Sequence, residues 1–214
     1  STCVEITPVG TSNVWVASPY TNMAQLLLDA LQKEPDSFEQ LLSSYLELLK
    51  ESIRHNFEAE NENRKIHFKK SFHPLLSCFV GDCLARGLDI EKGGARYNWI
   101  MPSFVGVANA VDSLYAVKEA VFEKKLFTIP QLLQMLSVNF EGYESARLML
   151  LNHIPKYGNN MDDVDQYFCT LIDFIVQECK NYTPILPNAR LIPSVFCWVM
   201  HEAFGRKTGA TPDG

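Results

Sequence analysis

A cysteine and a glutamate separated by one residue stand at the front of the chain, Cys3 and Glu5. Side chains alternate along an extended segment, so residues two apart point to the same face. A thiol and a carboxylate facing one cavity could hold a sulfur-centred reagent beside a proton acceptor. The triplet alone is weak evidence, because a buried structural cysteine beside a surface glutamate is the commoner arrangement. The turn-forming residues 8–13 are predicted to end this loop.

The composition is that of an ordinary globular protein, with 47% hydrophobic and 21% charged residues among 214. The formal net charge of −6 argues against partners that are nucleic acids or anionic membrane surfaces. No apolar run approaches the roughly 20 residues that a membrane helix needs, and no signal-peptide pattern opens the chain. The chain lacks an initiator methionine and closes on a turn sequence, so we expect a piece of a longer polypeptide.

The six cysteines do not have the pattern of a disulfide scaffold, and we expect reduced, buried thiols in a cytoplasmic protein. Cys78 and Cys83, with His67 and His73 upstream, could suggest a zinc site. Their spacing matches no familiar zinc pattern, so no metal site is predicted here.

Helical periodicity dominates the first half of the chain. Apolar spacing predicts a helix over 22–32, and a capping box of Asp36 and Glu39 predicts the start of the next one. That helix carries an apolar face as far as Phe57, and its charged continuation, residues 58–70, is expected to be a solvated helix end. Residues 75–84 are predicted to be a short apolar helix or buried segment.

The second half continues in the same way. A paired glycine, Gly93 and Gly94, precedes a short buried strand predicted at 97–101. Further helices are predicted at 104–123, after a Thr128 and Gln131 capping box, at 143–152 and at 162–182. No repeat, low-complexity tract or interdomain linker interrupts the chain.

Five sequence segments occur in an order that resembles the pyruvate formate-lyase-like glycyl radical enzymes over essentially the whole chain. The segments are Cys3-Val4-Glu5; Asp82-Cys83-x3-Gly87-x-Asp89-x3-Gly93-Gly94-Ala95-Arg96-Tyr97-Asn98; Gly106-x2-Asn109-x2-Asp112-Ser113-Leu114; Lys156-Tyr157-Gly158-Asn159-Asn160-x3-Val164-Asp165; and Gly209-Ala210-Thr211-Pro212-Asp213-Gly214.

This resemblance implies a mechanism for the opening triplet. In the family, a glycyl radical takes hydrogen from a loop cysteine, and the resulting thiyl radical takes hydrogen from the substrate. Cys3 matches that cysteine, and Glu5 matches the carboxylate base that accepts a proton from a substrate hydroxyl as a neighbouring group leaves. Such chemistry requires a dry, closed cavity.

The resemblance also implies the fold, the cofactor and the partners. The fold is α/β and mostly helical, part of a closed barrel of two parallel half-barrels wrapped by helices. Residues 1–214 are expected to be a partial domain, comprising the cysteine loop and the helical second half. The radical-bearing glycine of the family lies outside this chain. A radical SAM iron–sulfur activating enzyme would install the radical, and the full-length parent would be a homodimer.

Substrate class is implied only broadly. A single cysteine followed by Val4 and Glu5 points to the eliminase and decarboxylase branches, and Thr2 replaces the glycine that often precedes the cysteine. We expect a lyase of anaerobic metabolism that eliminates water or an amine from a small hydroxylated molecule, with Tyr20 and Asn22 facing the substrate. The alternatives are an arylacetate-type decarboxylase and a helical structural or interaction domain without chemistry. The isolated chain is predicted to be inactive.

Other polar residues have two interpretations at this stage. Asp82, Asp89, Arg96, Tyr97 and Asn98 could line the cavity, but helix caps and turn hydrogen bonds explain each of them equally well.

Overall fold

The computed structural model describes residues 7–186 and 188–214. Within these residues a three-stranded sheet has the order β1-β2-β3. The strands are β1 (Ser12–Asn22), β2 (Tyr97–Val105) and β3 (Ala189–Leu191). Strands β2 and β3 run parallel, with Asn98 opposite Ala189 and Ile100 opposite Leu191. An isolated parallel bridge between Ser103 and Ser194 extends this pairing.

Helices make up most of the remaining described chain. They are α1 (Met23–Leu31), α2 (Phe38–Lys70), α3 (Pro74–Cys78), α4 (Cys83–Arg86), a 3₁₀ turn at Ile90–Lys92, α5 (Val107–Val117) with a π-helical continuation at Lys118–Glu123, α6 (Ile129–Ser137), α7 (Glu144–His153), α8 (Asp162–Lys180) and α9 (Met200–Thr208).

The chain divides into two compact units. The first contains the described residues up to Thr21, with Ser52–Phe104 and Ile175–Trp198. It includes most of the sheet and a buried cluster beside the glycine pair, formed by Val80, Cys83, Ile90 and Ala95. The ring of Phe57 on α2 packs at 4.8 Å from that of Tyr182.

The second unit contains Asn22–Glu51, Val105–Phe174 and Val199–Gly214. In it α1 packs against α5, and the hydroxyl of buried Tyr45 donates to the carbonyl of Met23 at 3.3 Å. The edge of Phe38 lies against Tyr167, with centroids 5.7 Å apart. The apolar face predicted along α2 is therefore a core face, with Leu41 and Leu49 also buried.

Two predicted helix starts are instructive. The capping box of Thr128 and Gln131 is confirmed, with both reciprocal bonds present. The start of α2 lies one residue later than predicted, because Ser37 accepts from the amide of Gln40 at 3.2 Å and Gln40 accepts from the amide of Asp36 at 2.6 Å. A hydroxyl and an amide at N-cap and N3 meet the same need as the predicted acidic pair.

The prediction that 58–70 is a solvated helix end is wrong for two residues. Glu60 and Arg64 are 3% and 7% exposed. Their side chains pair at 2.5 Å, and the guanidinium lies 4.7 Å from the centre of the Trp15 ring. Burial of a charged group is tolerated when it is paired, and the aromatic face adds a cation–π contact.

Of the two alternatives predicted for 75–84, a short apolar helix or a buried segment, the structure shows helix and not burial. The chain forms two short helices there, and most of the large apolar side chains are exposed: Leu75, Leu76, Phe79 and Leu84. The strand predicted at 97–101 continues to Val105, so α5 begins at Val107 rather than 104. Among the described cysteines, which are free thiols, Cys83 and Cys179 are buried as expected, while Cys78 and Cys169 are exposed.

Candidate active site

The two predicted catalytic residues, Cys3 and Glu5, lie outside the described residues. The segment directly after them is described, and it forms the predicted turn. The carbonyl of Pro8 accepts from the amide of Thr11 at 3.3 Å, from its hydroxyl at 3.2 Å and from the Ser12 hydroxyl at 2.8 Å. Gly10 has a φ of +68°, which glycine adopts without steric cost.

This turn is attached to a distant part of the first unit. The amide of Gly81 donates to the carbonyl of Gly10 at 2.6 Å, and the amide of Tyr97 donates to the carbonyl of Thr11 at 3.1 Å. The side-chain amide of Asn13 donates to the carbonyl of Ile90 at 3.0 Å. Residues 8–13 are therefore held by the region 81–97.

The glycine pair shapes that region. A Cβ at Gly94 would come within 2.2 Å of the carbonyl oxygen of Leu88, so no other residue fits without moving the backbone. The carbonyl of Ala95 accepts from the guanidinium of Arg86 at 3.2 Å and from the amide of Asn98 at 3.0 Å. Asn98 is fully buried. Of its two predicted roles, lining a cavity or forming turn hydrogen bonds, the structure shows the turn hydrogen bonds.

Two aspartates hold the flanks of the same loop. Arg96 binds the Asp82 carboxylate through two bonds of 2.8 and 3.1 Å, and this pairing holds the pKa of Asp82 below its usual range. Burial pushes the pKa of Asp89 upward. Bonds from the amides of Glu91 and His73 and from the Ser77 hydroxyl outweigh that effect, so the pKa of Asp89 is lowered overall.

Asn22 and Tyr20 are the predicted substrate-facing residues. The Asn22 side chain caps α1, accepting from the amide of Gln25 at 3.1 Å, and its NH₂ group donates to the Thr208 hydroxyl at 2.8 Å. Both ends of this side chain are therefore engaged within the second unit. Tyr20, on β1, is half-buried. Contact of either residue with a substrate stays a prediction.

A small cavity lies beside β1 in the first unit. It is lined by Pro19, Thr21, Asn56 and Glu60, among others, and its volume is about 10 Å³. That is close to the space one water molecule needs. Asn56 donates to the Thr21 hydroxyl at 2.9 Å beside it.

The second unit holds a polar cluster that fastens residues 209–214, which we call the Asp213 junction; it comprises Asn109, Asp112, Ser113, Lys156 and Asp213. The Asp213 carboxylate accepts from Asn109 at 3.0 Å and from Ser113 at 3.2 Å. Lys156 donates to the carbonyl oxygens of Asp213 and Leu150 at 2.8 and 2.9 Å. Asp112 accepts from the amide of Tyr157 at 2.7 Å.

Burial affects the pKa of two of the three charged groups in this junction, Lys156 and Asp112. It lowers the pKa of Lys156, although Asp213 and Asp112 act in the opposite direction. It also raises the pKa of Asp112, against the hydrogen bond from Tyr157 and the charge of Lys156. These directions show a half-buried, partly desolvated ion cluster rather than a solvated surface pair.

The two buried thiols, Cys83 and Cys179, are poor nucleophiles. Burial raises the pKa of Cys179 to about 12 and also raises that of Cys83. A thiol needs its thiolate form for polar nucleophilic chemistry, so both are structural at neutral pH. Across residues 7–186 and 188–214, no group of three histidine, cysteine or acidic side chains is placed to hold a metal ion. None of the helices in this part of the chain combines the length and apolarity of a membrane span.

The sequence of this chain matches the model of one protein family. The family model described as "Pyruvate formate lyase-like" matches residues 1–205. The chain belongs to this family. The resemblance expected from the five segments is confirmed.

This chain is similar, at moderate sequence identity, to individual members of the pyruvate formate lyase-like family. A trans-4-hydroxy-L-proline dehydratase from Clostridioides difficile is 34% identical over 178 residues, covering 83% of this chain and 22% of that protein. The crystal structure of that organism's hydroxyproline dehydratase with trans-4-hydroxy-L-proline bound is 29% identical and superposes with a TM-score of 0.89, covering 99% of this chain and 29% of the other.

Two further similar proteins represent the two expected reaction types, dehydration and decarboxylation. The B12-independent glycerol dehydratase from Clostridium butyricum, in its glycerol-bound structure, is 29% identical with a TM-score of 0.86, covering 95% of this chain and 28% of the other. An indoleacetate decarboxylase from Tractidigestivibacter scatoligenes is 25% identical over 213 residues, covering 85% of this chain and 23% of that protein. The chain thus spans between a fifth and a third of the length of these relatives.

The expected fold class is confirmed, since the structures that superpose are glycyl radical enzymes and the chain is a mostly helical α/β fold with parallel pairing. The family segments play structural roles at two places. In the first unit, residues 82–98 build the loop that holds the turn after Glu5. In the second unit, three segments distant in sequence meet at the Asp213 junction.

The sequence patterns do not reveal several residues of these two places, nor the buried ion pair of α2. Asn13 was interpreted only as a turn residue, and Arg86 falls between quoted motif positions. Lys156 and Asp213 belong to quoted segments, but the spacing gave no sign that they meet. Glu60 and Arg64 were hidden in a run of mixed charge. The one available signal was the i,i+4 spacing of Glu60 and Arg64 on a helix, which permits pairing but does not predict burial.

Proposed function

We propose that this chain is part of a glycyl radical lyase that eliminates water or an amine from a small hydroxylated substrate. The proposal rests on one observation: the family match begins at residue 1 and so includes the Cys3-Val4-Glu5 triplet, which resembles the cysteine loop of glycyl radical enzymes. The dehydratase names of two of its similar proteins support elimination from a hydroxylated molecule.

The chain would supply the hydrogen carrier and the base. The Cys3 thiyl radical takes a hydrogen atom from a substrate carbon. Glu5 accepts the proton of the hydroxyl on that carbon while the neighbouring C–O or C–N bond breaks and the leaving group departs. The resulting product radical takes the hydrogen back from the Cys3 thiol, which restores the thiyl radical. The proton held by Glu5 passes to the departing group, so that neutral water or amine leaves and Glu5 is a carboxylate again.

The cofactor and the partners belong to the same proposal. A protein glycyl radical outside this chain would supply the unpaired electron, and a radical SAM iron–sulfur activating enzyme would install it. The full-length protein would be a cytoplasmic homodimer. Tyr20 remains the candidate for a substrate contact. Asn22 would contact the substrate only if its side chain gave up its hydrogen bonds to the Gln25 amide and the Thr208 hydroxyl.

The proposal is tested on the full-length gene product that contains these residues, activated under strict anoxia. Small diols, hydroxylated amines, hydroxylated amino acids and arylacetates are offered in parallel. We expect an aldehyde, ketone or unsaturated product with release of water or amine, and loss of turnover in Glu5→Gln. Release of carbon dioxide from an arylacetate alone would favour the decarboxylase instead.

If the activated protein carries its radical but forms no product from any of these substrates, the result would support the alternative that this chain is a structural domain without chemistry. The 214-residue chain is the natural control. It spans 22% of the hydroxyproline dehydratase, and we expect it to show no turnover by itself with any activating enzyme.

A further inference from the structure

The turn at residues 8–13 is the last described feature before the predicted catalytic pair. Its shape is fixed internally, because the Pro8 carbonyl accepts from both Thr11 donors and from Ser12. Pro8 lies five positions after Cys3 in the sequence. Whatever holds this turn therefore also holds the point from which the chain runs back to Cys3.

Three bonds from separate points hold the turn in the first unit. Gly81 binds the carbonyl of Gly10, Tyr97 binds that of Thr11, and Asn13 binds that of Ile90, at 2.6, 3.1 and 3.0 Å. Three attachments to a region formed from α3–α4, the 3₁₀ turn and the start of β2 fix both position and orientation.

The region that receives the turn has little freedom of its own. Gly94 packs so closely on Leu88 that no Cβ fits. Arg86 and Asn98 both bind the carbonyl of Ala95, and the Ser77 hydroxyl accepts from the amide of Ile90 at 2.9 Å. Ile90 is the residue whose carbonyl accepts from Asn13, so this acceptor is itself held in place.

We propose that Asn13 is a positioning residue for the radical chemistry of Cys3. It fixes the end of the catalytic loop through Ile90, with the Gly81–Gly10 contact as a second support. This inference rests on the proposed function of Cys3. The reaction is sensitive to such placement, since a misplacement of about 1 Å can lower a rate by about 100-fold.

Asn13→Asp is the most informative substitution. It keeps the size of the side chain but replaces the NH₂ donor with an oxygen that faces the Ile90 carbonyl and repels it. Asn159→Asp is the matched control, because Asn159 also donates from its side-chain amide to a backbone carbonyl, that of Lys156 at 3.2 Å, but in the second unit. Both substitutions leave the residues Cys3 and Glu5 themselves unchanged.

A second variant pair acts through the backbone. A Cβ at Gly81 would lie 3.2 Å from the Gly10 carbonyl oxygen, which is tighter than normal contact, so Gly81→Ala presses directly on the turn. Gly205→Ala is its control, since nothing lies within 4 Å of a Cβ there.

The experiment measures kcat, KM and the amplitude of the glycyl radical signal by electron paramagnetic resonance in the activated full-length gene product. We expect Asn13→Asp and Gly81→Ala to lower kcat by between about 10- and 100-fold. KM and radical amplitude should remain those of the wild type. Asn159→Asp and Gly205→Ala should behave as wild type in all three, and Asn13→Gln, which keeps the donor, should recover part of kcat.

Each alternative outcome is decisive. If Asn13→Asp keeps the kcat of Asn159→Asp while Cys3→Ala abolishes turnover, the positioning role is wrong and the proposed function stands. If Cys3→Ala retains turnover, the proposed function itself fails. Should Asn13→Asp not fold, Gly81→Ala decides in its place. A lowered kcat at an unchanged radical amplitude supports the positioning role, and the same kcat as Gly205→Ala overturns it.

Discussion

The ammonium group of Lys156 donates a 2.8 Å hydrogen bond to the carbonyl oxygen of Asp213. Lys156 also binds Leu150, and the Asp213 carboxylate binds Asn109 and Ser113. Three family segments that are far apart in the sequence are thus joined at one point. The junction gives the residues 209–214 a fixed place in the second unit.

Replacement of Lys156 by methionine should loosen this segment. The carbonyls of Leu150 and Asp213 would lose a donor in a half-buried site, which costs about 1–3 kcal/mol of unfolding free energy. Urea titration of the chain measures this loss, and hydrogen exchange at Gly214 should become faster. Lys33→Met, at an exposed position of the same unit, is the control and should change neither. Unchanged exchange at Gly214 in Lys156→Met would contradict the role of the junction.

Substitution of Gly94 by alanine should be far more harmful than substitution of Gly87. Both glycines lie in the first unit, but a Cβ at Gly87 meets nothing within 4 Å and only its φ of +62° is unfavourable. That strain costs about 1–2 kcal/mol. At Gly94 the Cβ would lie 2.2 Å from a backbone oxygen, so we expect a loss of more than about 3 kcal/mol. Thermal unfolding of the two variants compares them, and equal losses would contradict the close packing.

The acid dependence of stability should include a contribution from Asp89. Its pKa is lowered in the folded state, so its stabilising effect is present above the unfolded pKa of about 3.9 and is lost as pH falls through the lower folded value. Asp89→Asn should therefore lose about 1–3 kcal/mol at neutral pH. The difference in unfolding free energy between Asp89→Asn and wild type should become smaller below about pH 4.

Urea titrations at several pH values test this sign. Asp173→Asn, at an exposed position of α8, is the control and should follow the wild-type curve. A difference between Asp89→Asn and wild type that stays constant down to strongly acidic pH would show that the carboxylate charge at position 89 is not what stabilises the loop.

Arg64 should not tolerate replacement by lysine, although Arg54 should. Both arginines pair with a glutamate four residues away, but Arg54 is exposed while Arg64 is buried over Trp15. Lysine cannot stack its charge over the ring in the same planar way, and a desolvated cation–π contact is worth up to about 2 kcal/mol. Arg54→Lys should stay within about 0.5 kcal/mol of wild type by chemical denaturation. Equal losses in both variants would contradict the buried stacking.

Much of the fold follows from local sequence patterns. The helical stripe of α2, the capping box of α6 and the apolar spacing of α8 are all local signals, and each helix lies within two residues of its predicted position. Errors occur where tertiary contacts decide. Glu60 and Arg64 look solvated in sequence, but Trp15 lies far away along the chain and covers the guanidinium.

The candidate site divides in the same way. The Cys3 and Glu5 pair can be predicted because its residue types, separated by one position, and the family segments that follow are visible in the sequence itself. Asn13 is not recognisable, because its role depends on a carbonyl at Ile90 that only folding brings near. The exposed apolar side chains at 75–84 could not be foreseen either, since composition alone does not separate a buried helix from an uncovered one.

The proposed function depends most directly on Cys3, whose sulfur is proposed to take a hydrogen atom from the substrate. The measurement is turnover and radical amplitude of the activated full-length gene product with Cys3→Ala, beside Cys169→Ala, which removes an exposed thiol of α8. We predict that Cys3→Ala keeps the glycyl radical signal and loses turnover, while Cys169→Ala keeps both. Full turnover in Cys3→Ala would contradict the account.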